Sequence, residues 1–232
     1  PPPPPPPPLF FFQQKTADEL SLGLVGSEMC IRDRYLLGSI PFAHMAARLK
    51  GIDIFTTGNF QAGTANVFWN ISRRTGLLVF TCDVAKGVVS VVIAALLGIP
   101  DYLLVISGAA AVLGHWKSLF TGFKGGDGMA TLLGVTLTLM PAIAIPCILV
   151  GFATVIISWK STFRSAAGIA SCFSLLMFLA IYLNTDREIA VGLTLLGILV
   201  LFHNLIIKKR IAGHSPKDDL DELDVADESI KK

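Results

Sequence analysis

Beyond residue 34 the apolar positions run in long blocks separated by short polar stretches. The blocks have the length of membrane spans rather than the alternation of half-buried elements. A helix crossing a bilayer needs about 20 mostly apolar residues. Leu77 to Ile99 meets that length with Asp83 and Lys86 inside it, and Tyr102 to Phe120 follows after a Pro-Asp turn. The block from Gly128 to Trp159 is too long for one simple pass. Pro141 lies near its middle and lacks a backbone donor, so a break is expected there. The reading is a short pass ending near Met140 and a second from Ala142 to Trp159. Ser165 to Leu183 and Ile189 to Ile207 complete the set, and Tyr35 to Leu49 reads as a truncated first span. The pattern predicts an all-α, polytopic integral membrane protein with seven transmembrane helices.

Charge tests that count. On one side of the alternating spans lie Arg48, Lys50, Arg73, Arg74, Lys117, Lys124, Lys160, Arg164, Lys208, Lys209 and Arg210, and on the other Arg187 alone. The positive-inside rule puts the rich side in the cytoplasm, with the N-terminus outside and the C-terminus inside.

Composition narrows the class. Of 232 residues, 53% are apolar and 16% charged, with a net charge of +2. A soluble domain carries about a quarter charged residues. A disordered chain, a nucleic-acid binder with a basic field and an ordinary soluble enzyme are therefore excluded. Cys30, Cys82, Cys147 and Cys172 have no CxxC or metal-ligand spacing, so neither a disulfide framework nor a metal site is expected.

The two ends are read apart from the spans. Residues 1–34 open with eight prolines and lack the regions of a signal peptide, and Leu24 to Arg34, LVGSEMCIRDR, resembles a translated sequencing adapter. This segment is expected to be non-native. Residues 214–232 hold seven acidic residues and few apolar ones, which predicts a disordered cytoplasmic tail. The membrane domain is then residues 35–213.

Candidate chemistry clusters on the cytoplasmic side. The loop from Gly51 to Gly76 is rich in Gly, Thr and Asn. Glycines at 58 and 63 permit close backbone approach, and Asn59, Thr64 and Asn66 add donors. In GHWKSLFTGFKGGDGMAT, Lys124 is followed by Gly125, Gly126 and Gly128 and then by a helix start, with His115 nearby and Thr131 beyond. A glycine-rich turn before a helix favours a phosphate, although GxxxxGK[ST] is absent. His203 lies about one turn inside the last span, ahead of Lys208-Lys209-Arg210, where an ionisable residue is a functional candidate. A histidine that bonds a neighbouring helix is the plain alternative. Asp83 and Lys86 share a helix face and read as a structural pair. Across residues 35–213 no HxxxxD acyltransferase signature occurs, and HExxH and GxSxG are absent.

Taken in order, YLLGSIPF, GIDI, GN..AGTANV, the DVAKG run and VLGHW...F.GFKGG.G.AT resemble the bacterial acyl-phosphate:glycerol-3-phosphate acyltransferase family over Tyr35 to Gly213. The resemblance implies a seven-helix protein of the bacterial plasma membrane with its active face cytoplasmic. It implies transfer of a fatty acyl group from acyl phosphate to the 1-hydroxyl of glycerol 3-phosphate, giving lysophosphatidic acid and phosphate for phospholipid synthesis. No cofactor is expected. The partners are the two substrates and membrane lipid, with no nucleic acid, and the state is monomeric. His203, Lys124 and Asn66 are carried over as catalytic residues. Gly58, Asn59, Gly63, Thr64, Gly125, Gly126, Gly128, Thr131, Ser165 and His115 are the expected phosphate and substrate contacts.

The match is uneven. Asn59 stands where the family has serine, Phe60 where it has glycine and Gln61 where it has asparagine. Phe55 and Trp69 replace arginines, and Asp127 replaces the second lysine of KGGKG. Ser118 replaces a proline, Thr162-Phe163 an Arg-Tyr pair and Ile206 an asparagine. Each charge-assisted bond to a buried phosphate is worth about 1.5–3 kcal/mol, so these changes bear on affinity. The rival reading is a catalytically impaired, anion-binding paralogue or a small transporter.

Overall fold

The structure is a computed structural model that describes residues 31–213 except residue 162. The readings of residues 1–30 and of the acidic tail lie outside the described residues. Every regular element among the described residues is helical. They are α1 (residues 31–38), α2 (Phe42–Arg48), α3 (Thr64–Asn70), α4 (Arg73–Leu96), α5 (Asp101–Trp116), α6 (Met129–Leu139), α7 (Pro141–Ile157), α8 (Arg164–Tyr182) and α9 (Arg187–Gly213). A single 3-10 turn, Leu119–Thr121, follows α5.

Among the described residues, four stretches are long and apolar enough to cross a membrane: Arg73–Leu96, Leu103–Thr121, Arg164–Tyr182 and Arg187–Ile207. Two shorter apolar helices, α6 and α7, lie between them. Their junction falls at Met140, where φ is −139° and ψ is 60°, beside Pro141. The proline breaks the block as its missing N–H predicts. Large apolar side chains such as Leu149, Ile156, Phe178 and Leu195 point outward, which is what a bundle surrounded by lipid requires.

Two parts depart from the pattern. The first expected span is two short helices, α1 and α2, parted at Ile40-Pro41, because proline disfavours the helical conformation of the residue before it. The polar loop contains α3, whose Val67 is buried in a small core with Ala43, Ala47, Ile54, Ala62 and Val79. Helix α4 also begins earlier than expected, at Arg73, where the Ser72 hydroxyl accepts the Thr75 N–H at 3.5 Å. Residues 31–34 continue into α1, with Arg34 buried.

In lipid, helices associate through close packing, and small residues permit it. A Cβ at Gly87 of α4 would strike the Thr131 carbonyl of α6, and one at Gly134 of α6 would strike the Val84 carbonyl of α4. These two helices meet backbone to backbone. Gly38 of α1 faces Ala111 of α5 in the same manner. Tyr35 donates to the Lys117 carbonyl at 2.5 Å, and Ser118 donates to the Ser39 carbonyl at 2.5 Å. The start of the bundle is thereby fixed to the end of α5, where the polar loops gather.

Candidate active site

Three polar segments meet at one end of the bundle: the loop before α3, the loop between α5 and α6, and the turn between α7 and α8. The end of α9 completes the group. Asn66 organises the first loop. It is buried, and its side-chain amide lies within bonding distance of the carbonyls of Ile54 (3.2 Å), Thr57 (2.9 Å) and Gln61 (2.9 Å). Its carbonyl oxygen accepts from Asn70 at 2.8 Å. Gly58 has φ +63°, and a Cβ there would collide with the Asn66 oxygen. Asn59 caps the turn locally by accepting the Gln61 N–H at 3.3 Å.

The loop after α5 is tied to the first one. The Ala62 N–H donates to the Gly125 carbonyl at 3.2 Å, and Gly63 lies against Gly126, where an added Cβ would be 3.8 Å from its Cα. The Gly126 N–H donates to the His115 carbonyl at 3.2 Å, and the Met129 N–H donates to the Asp127 carboxylate at 3.2 Å. Two donors of the glycine-rich turn are thus bound inside the protein. Gly128 takes φ +79° to turn the chain into α6. Trp116 braces this turn by donating its indole N–H to the Asp127 carbonyl at 2.9 Å, and its ring stacks on His203 with centroids 4.2 Å apart.

Two polar cavities result. The first, of about 320 Å³, is lined by Lys117, Lys124, Gly125, Gly126, Asn59 and His203 together with Phe55, Phe60, Phe123 and Trp116. The Lys124 ammonium lies 5.8 Å from the centre of the Phe55 ring. The second, of about 530 Å³, is lined by Asn59, Asn66, Asp127, Lys160, Arg164, Ser165 and Asn204 among others. The two share Asn59, Gln61 and Ile207, so they adjoin. Ser165 also borders an apolar groove of about 100 Å³ between α6, α7 and α8, walled by Met129, Leu132, Ile148, Phe152 and Val155.

The expected residues divide between these places. Lys124, Gly125, Gly126, Asn59 and His203 come together around the first cavity, and Asn59, Asn66 and Ser165 around the second. Gly58, Gly63 and Gly128 shape the backbone beside them. His115, Thr64 and Thr131 point elsewhere. His115 Nδ1 is 2.6 Å from the Lys86 ammonium, which is 2.9 Å from Asp83, and the Thr64 hydroxyl reaches Asp83 at 3.4 Å. An ammonium can only donate, so Nδ1 accepts and the imidazole proton sits on Nε2. Thr131 is buried in α6 with its hydroxyl lacking a partner. No group of three or more His, Cys, Asp or Glu among the described residues could hold a metal.

Sequence reasoning missed Trp116, which links His203 to the loop, and Arg164 and Lys160, which entered only as topological charges. Phe60 and Phe123 give the first cavity aromatic walls. Both have positive φ, 57° and 62°, in a region side chains rarely occupy.

Cation-lined cavities beside an apolar groove, set at one end of a lipid-facing helical bundle, define a membrane protein suited to a phosphorylated substrate and an acyl chain. A sequence model of the family described as Glycerol-3-phosphate acyltransferase matches residues 29–213. The chain is 34% identical over 180 residues to the glycerol-3-phosphate acyltransferase of Aquifex aeolicus, covering 77% of this chain and 92% of that one. It is 45% identical over 107 residues to the Geobacter metallireducens enzyme of the same name, covering 46% of this chain and 55% of that one. Two crystal structures of PlsY (YgiH), an integral membrane glycerol 3-phosphate acyltransferase, are similar in fold. The glycerol 3-phosphate form has a TM-score of 0.67 at 28% identity, covering 84% of this chain and 98% of that one. The lysophosphatidic acid form has a TM-score of 0.66 at 30% identity, covering 80% and 91%. The chain belongs to the glycerol-3-phosphate acyltransferase family and is a membrane acyltransferase.

Proposed function

We propose that the protein transfers a fatty acyl group from an acyl phosphate to the 1-hydroxyl of glycerol 3-phosphate, releasing lysophosphatidic acid and phosphate. The observation that carries this reading is the contact of three spaces: two adjoining cavities with lysine or arginine on their walls, and an apolar groove that meets the second at Ser165. One phosphate for each cavity and one hydrocarbon chain for the groove match the reactants. The family's structures in glycerol 3-phosphate and lysophosphatidic acid forms support the acceptor and the product.

The assigned roles follow the walls. Lys124 holds the phosphate of the donor in the first cavity, with His203 opposite. Asn66 sets the shape of the second cavity, and Ser165 hydrogen-bonds the acceptor there. The acceptor oxygen attacks the acyl carbon, the C–O bond to phosphate breaks, and phosphate leaves with that electron pair and takes up the hydroxyl proton. Neither polar cavity has a Cys among its described lining residues, and Cys172 borders only the apolar groove. Catalysis on this reading comes from placing the two anions and from countering charge as it shifts to the departing phosphate.

We read the protein as a multi-pass protein of the bacterial plasma membrane, crossing seven times, with both cavities at the cytoplasmic face and a domain over residues 35–213. Helix α6 has 11 residues, about 16 Å at 1.5 Å per residue, against a hydrocarbon core of about 30 Å. A helix that short carries the glycine turn inward from the surface, toward the chains of the lipid. The buried Asp83, Lys86 and His115 partner one another, so they support packing rather than a transport path.

Membranes holding the full chain, supplied with palmitoyl phosphate and radiolabelled glycerol 3-phosphate, test the reading. Labelled lysophosphatidate well above a membrane control is expected, with palmitoyl-CoA giving no more than the control. A Lys124→Ala variant is expected to lose about 100-fold or more in rate. No product from palmitoyl phosphate would overturn the assignment.

A further inference from the structure

The second cavity contains a cation held in place by aromatic rings. Arg164 is the first residue of α8, and its guanidinium carbon lies 4.5 Å from the centre of the Trp159 ring. One guanidinium nitrogen is 3.5 Å from the Trp159 carbonyl oxygen. Trp159 is itself braced edge-on by Trp69 of α3, centroids 5.7 Å apart at 68°, and Trp69 by Phe68 at 4.9 Å and 80°. A row of rings therefore runs from α3 to the guanidinium.

A ring beneath an arginine steadies it while leaving most of its N–H donors for other partners. The five N–H donors lie in the guanidinium plane, while the aromatic contact uses its face. A planar fork of that kind matches two oxygens of a phosphate. Lys160 also lines the cavity but is exposed and has no such bracing. The Asp127 carboxylate is on the same wall, and one of its oxygens accepts the Met129 N–H. Arg164 is the neighbour of Ser165, at the mouth of the apolar groove. An oxyanion held there keeps a glycerol hydroxyl next to an acyl carbonyl emerging from the groove.

We propose that Arg164, held by Trp159, binds the phosphate of glycerol 3-phosphate in the second cavity. The proposal rests on the acyltransferase reading given above and extends it to a residue outside the expected site.

The test uses the full chain purified in detergent. Binding of radiolabelled glycerol 3-phosphate is measured by equilibrium dialysis, and steady-state kinetics are taken with palmitoyl phosphate. Arg164→Gln is expected to raise both Kd and KM for glycerol 3-phosphate by about 10-fold or more. The KM for palmitoyl phosphate should stay within about twofold, which also reports an intact fold. Arg164→Lys should recover only part, because it keeps the charge but not the fork. Trp159→Leu should raise Kd by about threefold, through loss of the stack. Unchanged Kd in Arg164→Gln would overturn the proposal, and so would a rise confined to the palmitoyl phosphate KM. Wild-type protein that fails to bind glycerol 3-phosphate also overturns it. Wild-type protein that binds but forms no lysophosphatidate sinks the reaction assigned above and leaves the role of Arg164 standing on the dialysis result.

Discussion

His203 of α9 lies flat on Trp116 of α5, with ring planes 19° apart, while the Trp116 indole N–H holds the Asp127 carbonyl at 2.9 Å. One side chain thus fixes both the imidazole and the glycine turn that carries Lys124. A Cβ at Gly128 would strike the indole nitrogen, so the turn is fitted to this ring. Trp116→Phe keeps the stack and removes the hydrogen bond, and Trp116→Leu removes both. With a neutral hydrogen bond worth about 1 kcal/mol, Trp116→Phe should slow acyl transfer by about fivefold. Trp116→Leu should slow it by about 30-fold or more, since an aromatic stack adds about 0.5–1.5 kcal/mol. Initial rates of lysophosphatidate formation at saturating glycerol 3-phosphate give both numbers. Equal rates for the two variants would show that the stack has no part in setting the site.

The gross architecture could be read from block length because lipid leaves a helix little choice: α4, α8 and α9 fall where the apolar blocks lie, and the break at Met140 is where Pro141 requires one. Helix α3 was hidden because its Thr, Asn and Trp carry no apolar period, and only Val67 and Asn66 turn inward. The site was half visible. Lys124 and His203 each stand out as charged or ionisable groups near a span end, but their shared cavity depends on Trp116, which reads as ordinary span interior. Asn66 was expected to offer donors to a ligand and instead bonds backbone carbonyls of its own loop. Spacing along a chain does not tell an outward amide from an inward one.

Asp127 stands in the anion site for a local reason. Its carboxylate accepts the Met129 N–H two residues on, an Asx turn that leads the chain into α6. Asparagine can make the same bond without the charge. Asp127→Asn should therefore lower the KM for a phosphorylated substrate by about threefold, one nearby charge at a partly screened site being worth about 0.5–1 kcal/mol. Asp127→Ala loses that turn bond as well and should destabilise the fold by about 1 kcal/mol. Kinetics with both substrates, alongside thermal unfolding in detergent, separate the two effects. A higher KM in Asp127→Asn would mean that the carboxylate assists binding.

Phe60 adopts φ 57° with its side chain half exposed on the wall of the first cavity. For an L residue the left-handed region costs about 1–2 kcal/mol, and glycine escapes most of that. Phe60→Gly should raise stability by about 0.5–1 kcal/mol after its own greater chain entropy is subtracted. It should also widen the cavity, so the KM for palmitoyl phosphate is the second readout. A fall in Tm would show that the ring's contacts outweigh the backbone strain.

Asp83 and Lys86 are one helical turn apart in α4, 2.9 Å between charges, each side chain 2% exposed. Around them stand His115 of α5, Thr64 of α3 and the Ile40 carbonyl between α1 and α2, which accepts from Lys86 at 3.3 Å. The cluster joins four segments that position both loops of the site. Removing one charge leaves the other buried without its partner, at a cost of about 3–5 kcal/mol. Lys86→Met should thus lower Tm steeply and reduce the yield of folded protein. Removing both charges avoids the uncompensated ion, so Asp83→Asn with Lys86→Met should recover most of the lost stability. Recovery of stability without recovery of acyl transfer is the expected outcome, because Thr64 and His115 would still have lost the charges that orient them. A double variant no more stable than Lys86→Met would show that packing around the methylene chains, rather than charge pairing, holds these helices together.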